Sequence, residues 1–182
     1  MRDRLVAGIF VGGASRRMGG RPKGLLAVEG VAIVDRWRAL LDALGVPSIL
    51  VGAGDAYAPR ARRPDEIEGV GPIGGLVSLL RWAGHRRTLC VACDMPRVSL
   101  ELLRRLVEAP DAIAVAARRD GGWEPMFARY EPAALDVTLD RIARGALSLR
   151  GLLDELPTRA LELSDAEAGE LDDWDTPEDL RG

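Results

Sequence analysis

Hydrophobic and polar positions alternate along this chain in blocks that predict a repeated strand-and-helix order. Leu5 to Val11 is an apolar run broken only by Gly8, which reads as a buried β-strand. Ile33 to Leu44 places Ile33, Val34, Trp37, Leu40, Leu41 and Leu44 at spacings of three and four, with Asp35, Arg36, Arg38 and Asp42 between them. That is an amphipathic helix, and Gly45 is its C-terminal stop. Ser48 to Val51 is a second strand, parallel to the first and closed by Gly52-Ala53-Gly54. Two strands joined by a helix form a right-handed βαβ unit, whose ligands lie beyond the carboxyl ends of its strands.

The pattern continues in the same style. Ala56 to Arg63 predicts a short Arg-rich helix, and Pro64 to Glu68 an irregular acidic segment. A helix follows from about Gly74 to Ala83, with Leu76, Leu79, Leu80 and Ala83 as its apolar stripe. Thr88 to Cys93 is a fully apolar and therefore central strand. Leu100 to Val107 is a helix capped by Ser99, and Ala112 to Ala117 a strand. The turn Arg118 to Gly122 leads into a strand from Trp123 to Tyr130, paired with its predecessor as in a hairpin. Pro132 to Ile142 and Leu147 to Leu156 are helical, interrupted at Gly145, and Thr158 to Leu163 is a last strand. Near the end, Thr176 caps and Pro177 opens a short final helix.

Length and composition narrow the class. At 182 residues with a 47% hydrophobic fraction, one domain over 1–182 with one sizeable core is expected. The net charge of −3, with both signs scattered, argues against broad nucleic-acid or membrane-surface binding. No apolar run reaches membrane-spanning length, and the N-terminus runs directly into the first strand rather than through a signal peptide. Cys90 and Cys93 lie within a strand, where positions three apart face opposite ways. They therefore read as small buried residues in a reducing cytoplasmic setting, not as a disulfide or a metal clip. The chain has no Asn and no Gln, so a nucleobase must be read by backbone groups, hydroxyls, carboxylates or arginines.

Candidate chemistry concentrates where strands stop. The first strand, ending in Phe10 and Val11, runs into Gly12-Gly13-Ala14-Ser15-Arg16-Arg17-Met18-Gly19-Gly20-Arg21-Pro22-Lys23. Glycine lets backbone N–H groups approach phosphate oxygens, and the basic side chains add charge around them. Lys23 is the only lysine; every other one of the 25 basic residues is Arg. A compact, mobile ammonium suits a crowded oxygen between two phosphates better than a planar fork does. Neither the Walker pattern nor the dinucleotide fingerprint is present. Gly69-Val70-Gly71-Pro72-Ile73-Gly74-Gly75 puts glycines before a helix N-terminus, an anion or base-edge site. Asp94-Met95-Pro96 places a carboxylate where the central strand meets a proline turn, as a magnesium ligand would be placed. Asp173 and Asp175 are two apart, on one side of an extended segment.

The stretch from Phe10 to Lys23 resembles the L-x-G-G-x-S-x-R-M-G-x-x-K signature of nucleotidyltransferases, and more narrowly that of the molybdenum cofactor guanylyltransferase family, MobA. Gly71 to Gly75 is similar to that family's G-P-L-A-G, Asp94-Met95-Pro96 to its Asp-x-Pro, and Glu124-Pro125-Met126-Phe127 to its Q-P-L-x-A-x-Y, with Glu in place of the amide. The ending resembles N-x-N-T-P-E-D-L, with Asp173 and Asp175 at the two Asn places. The resemblance covers nearly the whole chain. It implies a three-layer α/β/α nucleotidyltransferase fold with a mostly parallel, Rossmann-like central sheet. It implies transfer of GMP from GTP to molybdopterin with release of pyrophosphate, and other molybdenum cofactor biosynthesis proteins as partners. Phe10, Val11, Gly12, Gly13, Gly52, Asp65 and Gly71 would hold the nucleotide. Lys23 and Arg17 would stabilise the leaving pyrophosphate, and Asp94, joined by Asp175, would bind Mg²⁺. Gly12-Gly13 favours guanylyl transfer, whereas Asp175-Thr176-Pro177 favours the cytidylyl relatives. A sugar-1-phosphate nucleotidyltransferase and a non-catalytic nucleotide-binding module are the remaining alternatives. Arg118, Arg119 and Trp123 are candidates for an acceptor pocket.

Overall fold

A computed structural model describes residues 5–11, 22–52 and 54–173. In chain order its strands are β1 (Leu5–Phe10), β2 (Ala27–Val28), β3 (Val31–Ala32), β4 (Ser48–Val51), β5 (Arg62–Arg63), β6 (Arg87–Ala92), β7 (Ala114–Arg119), β8 (Gly122–Tyr130) and β9 (Thr158–Glu162). Its α-helices are α1 (Ile33–Ala43), α2 (Pro72–Ala83), α3 (Leu100–Glu108), α4 (Ala134–Ala143), α5 (Leu149–Glu155) and α6 (Asp165–Glu170). β2 and β3 pair as a small separate hairpin, and the other strands form one sheet in the order β5-β4-β1-β6-β8-β7-β9. Neighbours are parallel except for β8, which runs against both β6 and β7.

The two faces of this sheet bury two cores, which gives three layers. On one face Ala7, Ile9, Leu50, Leu89, Val91, Val115 and Phe127 pack with α1 and α3. On the other, Phe10, Ile49, Val51, Cys90, Ala116, Ala128 and Tyr130 pack with α2, α4 and α5. Consecutive strand residues point to opposite faces, so strands covered on both sides must be apolar throughout. Every residue of β1 is buried, as this requires. Cys90 and Cys93 fall into different cores and are free thiols. Burial pushes the Cys90 thiol far above its ordinary value, and burial with the nearby Asp94 charge pushes Cys93 up to about 12.

Three elements differ from the sequence expectation. Ala56 to Arg63 is not a helix: Asp55–Tyr57 makes one 3-10 turn, and Arg62–Arg63 is an edge strand beside β4. Pro59 supplies no N–H and bars its predecessor from helical geometry. The edge of β4 instead bonds this segment, through Leu50 N–H to Ala61 O at 3.1 Å and Gly52 N–H to Arg63 O at 3.0 Å. The helix expected from Gly74 begins two residues earlier at Pro72, a favoured first helical position. Helix α6 was not anticipated, although Ser164 and Glu167 close a full capping box at its start. The hairpin β7–β8 forms as expected, with Asp120 and Gly121 at φ 51° and 75° in its turn. Thr176 and Pro177 lie outside the described residues.

Candidate active site

The carboxyl ends of β4, β1 and β6 finish level with one another, because Phe10 is in register with both Val51 and Ala92. Backbone bonds carry the sheet one step further: Val11 N–H donates to Val51 O and Cys93 N–H to Phe10 O, each at 3.0 Å. Above these ends opens a cleft of about 420 Å³. Its floor is Phe10, Val11, Val51, Gly52, Ala92 and Cys93.

Lys23 and Asp94 meet in this cleft from different elements. Pro22 O accepts from Leu25 N–H and Lys23 O from Leu26 N–H, both at 3.0 Å, which winds Lys23–Leu25 into one 3-10 turn. Gly24 seats that turn: a Cβ there would come within 2.5 Å of Val34 and 3.2 Å of Tyr57. Tyr57 is itself buried, which pushes its phenol up to about 12. Asp94 lies two residues past the end of β6, next to Cys93, whose N–H still bonds Phe10 O. Lys23 Nζ lies 3.8 Å from Asp94 Oδ2, with the two side chains 22% and 27% exposed. A cation and a carboxylate thus pair on the wall of the cleft, both part-exposed to it.

The α2 side of the cleft carries Asp65, Gly71, Pro72 and Gly75. Gly71, the N-cap, has φ 74° and ψ −158°, a region essentially reserved for glycine, and no side chain caps the helix. Pro72 has no N–H and Gly74 N–H donates to Gly71 O at 3.0 Å, so the helix start offers the cleft chiefly the positive end of its dipole. Ser78 fixes the loop that carries Asp65, accepting from Glu66 N–H at 2.8 Å while donating to Gly74 O at 3.1 Å. Asp65 Oδ1 is buried with no hydrogen-bond partner among the described residues. Burial, and then the charge of Glu68, raise the Asp65 carboxyl above its ordinary value. A buried acceptor with no donor is what a ligand N–H or hydroxyl would satisfy.

The opposite side is built by β8, whose antiparallel course brings its N-terminal half to the C-terminal end of β6. Val91 is in register with Phe127, so Met126 and Glu124 reach the cleft beyond it. Asp173 joins them from the C-terminal segment. The Glu124 side chain is 12% exposed. Burial raises its carboxyl, the Asp173 charge raises it further, and Arg119 and Arg150 oppose the shift.

Of the residues singled out in the sequence, Phe10, Val11, Lys23, Gly52, Asp65, Gly71 and Asp94 all line this one cleft. Gly12, Gly13, Arg17 and Asp175 lie outside the described residues. Trp123 is turned away: it alternates with Glu124 on β8, donates from Nε1 to Asp154 Oδ1 of α5 at 2.8 Å, and carries Arg118 5.3 Å above its ring. His85 is exposed in the turn before β6, at the end remote from Asp94. Glu124 and Met126 were not assigned to the site from the sequence, because only the insertion of β8 beside β6 brings them there, whereas Asp173, paired with Asp175 in the sequence as a carboxylate candidate, reaches the cleft from the C-terminal segment. The signal available was the Glu standing where the family motif has Gln.

The charge set bears on metal binding. Mg²⁺ takes one or two carboxylates, completes its shell with substrate phosphates and water, and needs no cage of protein ligands. Asp94, part-exposed at the cleft, offers such a carboxylate. Among the described residues no group of three His, Cys, Asp or Glu could hold a metal alone. No described helix is long and apolar enough to cross a membrane.

Comparison with known proteins agrees with this geometry. A family profile for the MobA-like NTP transferase domain matches residues 7–160. A molybdenum cofactor guanylyltransferase of Pseudomonas putida is 34% identical over 181 residues, covering 95% of this chain and 94% of that protein. A second, from another strain of the same species, is 31% identical over 180 residues with the same coverage. Among solved structures, molybdopterin-guanine dinucleotide biosynthesis protein A from Archaeoglobus fulgidus superposes with a TM-score of 0.77 at 25% identity, over 96% of this chain and 94% of that one. The three-layer fold with its cleft at the strand ends is that of a nucleotidyltransferase. Within that class, the chain belongs to the MobA-like NTP transferase family.

Proposed function

We propose that this enzyme transfers GMP from GTP to the terminal phosphate of molybdopterin, forming molybdopterin guanine dinucleotide and releasing pyrophosphate. The observation that carries the reading is the Lys23–Asp94 pair, 3.8 Å apart at the carboxyl end of the parallel strands. The order of strands gives the reaction its layout. Gly52 and Asp65 stand over the β4 side, Phe10 and Lys23 over β1, Asp94 over β6, and Glu124 over β8. The base lies on the Asp65 side, with the unpartnered Oδ1 accepting from its N–H groups. The triphosphate runs over β1 towards Asp94, and the acceptor approaches from β8.

Chemistry follows from this arrangement. A phosphate monoester has its second pKa near 6, so the acceptor is already an anionic nucleophile at neutral pH and no general base is needed. One acceptor oxygen forms a bond to the α-phosphorus as the bond to the β-phosphate oxygen breaks. Both electrons leave with pyrophosphate. Lys23 holds the charge that develops there, with Arg17 as a second cation. Asp94, with Asp175 as a further carboxylate, would hold Mg²⁺, which when bound neutralises charge shared by the phosphates. The cleft walls fix the line of attack. The free thiols Cys90 and Cys93 accord with a reducing cytoplasm.

The test is pyrophosphate release from GTP, CTP or ATP, each with molybdopterin. Turnover with GTP alone, lost on chelation of divalent ions, supports the reading. Equal or better turnover with CTP replaces guanylyl by cytidylyl transfer, and nucleotide binding without turnover reduces the protein to a binding module.

A further inference from the structure

Helix α6 has no buried residue, so apolar packing of its own does not hold it. Leu171, just past its end, is fully buried against the α1–α3 core. The remaining anchors are polar. Ser99 N–H donates to Glu170 Oε2 at 2.8 Å, and Arg105 pairs with Glu167 and donates to Glu162 O at 2.8 Å. Arg119, the last residue of β7, adds the contact nearest the cleft. Its Nη1 donates to Asp172 Oδ1 at 2.7 Å and to Ala168 O at 3.2 Å, while Nη2 lies 4.0 Å from Glu124 Oε2. One guanidinium therefore joins the segment that delivers Asp173 to the strand that delivers Glu124, and both of those carboxylates line the cleft.

We propose that Arg119 is a positioning residue: it clamps residues 168–172 to the β7–β8 hairpin, so that Asp173 and Glu124 form one wall of the cleft, the wall that takes the acceptor. The assignment of that wall to the acceptor rests on the guanylyl-transfer reading, in which the nucleotide occupies the β4–β1 side. Arg119 itself is not among the residues lining the cleft. Its planar fork is what the position uses, because one side chain must reach a carbonyl, a carboxylate and a second carboxylate together. Loosening it displaces a wall without touching Lys23 or Asp94. Its effect is then confined to acceptor binding.

Arg119→Leu, Arg119→Lys and Asp172→Ala, with the Arg119→Leu/Asp172→Ala double variant, are assayed in the full chain. Arg119→Leu is expected to raise the molybdopterin KM about tenfold, with kcat and the GTP KM within about twofold of wild type. Asp172→Ala should move the same constant in the same direction, and the double variant should be no worse than Arg119→Leu, because the two residues act through one contact. Arg119→Lys should recover only part of the loss. An unchanged acceptor KM, an equal rise in the GTP KM, full rescue by lysine or additive single effects would overturn the clamp. Amide hydrogen exchange over 165–173, measured without any substrate, gives an independent reading: it should quicken in Arg119→Leu, and unchanged protection also overturns the clamp. Wild type that binds GTP but transfers nothing to molybdopterin defeats the functional reading instead, while the exchange result still judges the clamp.

Discussion

Three charged side chains of the cleft make separable predictions. Asp94→Asn keeps the shape of the carboxyl and removes its charge, so pyrophosphate release should fall by about a hundredfold or more while the thermal transition stays in place. Retained turnover at low magnesium would reject Asp94 as the metal ligand. Lys23→Arg keeps the charge but replaces a mobile point by a wide fork beside Asp94, and a loss of kcat of about tenfold or more is expected with GTP affinity little changed. Asp65 couples binding to pH. Its folded carboxyl titrates above the ordinary value of 3.8, so between the two values the folded chain holds a proton that the unfolded chain has released. The associated stability is present below that window and lost as pH rises through it. The charged form of Asp65 therefore weakens the fold, while in the proposed reading the same carboxylate is the acceptor for the base of GTP. Asp65→Asn should raise the melting temperature and weaken GTP binding about tenfold. It should also flatten the fall of GTP affinity on acidification, and a titration calorimetry series from neutral to acidic pH reads both changes.

At the scale of elements, α3 ends against a buried charge. Arg129 of β8 is 1% exposed and donates from Nη1 to Leu106 O, Val107 O and Ala109 O, and from Nη2 to Pro110 O. Leu106 O and Val107 O are last-turn carbonyls that the helix end leaves without intrahelical partners, and Ala109 O and Pro110 O belong to the chain just past it. Arg87 stands nearby, bridging Asp111 at 2.8 Å and Glu131 at 2.7 Å. Arg129→Met fills similar volume but strips the carbonyls of their donors, and a loss of about 3 kcal/mol is expected, read as a lower denaturation midpoint with activity retained in the surviving fold. Which elements were legible from the sequence follows the same physics. β1, α1, β4 and β6 were readable because they are continuous or periodic apolar runs with clear stops, glycine for the first three and Asp94-Met95-Pro96 for β6. β5 was not, since two arginines carry no strand pattern and only the free edge of β4 recruits them. Ser164 and Glu167 did announce α6, but its lack of an apolar stripe hid it.

At the scale of the molecule, the site is a product of strand order, and strand order divides what the sequence disclosed of it. Lys23 and Asp94 stood out locally, as the only lysine and as a carboxylate before a proline turn. Glu124 became a site residue only when β8 entered the sheet beside β6, and Asp173 only when the segment after α6 packed back beside it, long-range placements that no local pattern specifies. The same dependence on assembly is concentrated at Gly75, where three parts of the fold close on one point. A Cβ there would come within 2.8 Å of the Phe10 ring, 3.0 Å of Val51 and 3.2 Å of Asp65 Oδ1. The first two belong to β1 and β4, the third to the loop that α2 carries through Ser78. A methyl group must therefore lift α2 from the sheet or displace Phe10, and either motion shifts Asp65 relative to the cleft floor. Overpacking of this kind costs about 1–3 kcal/mol, so Gly75→Ala should lower stability by that order. Its functional loss should fall on the GTP KM, with the molybdopterin KM unmoved, because β8 and the C-terminal segment stand on the far side of Asp94. Steady-state kinetics with each substrate varied in turn separates the two. A loss shared equally between GTP and molybdopterin would mean that the two ends of the cleft are not independent, and the layout of base, phosphates and acceptor along the sheet would have to be abandoned.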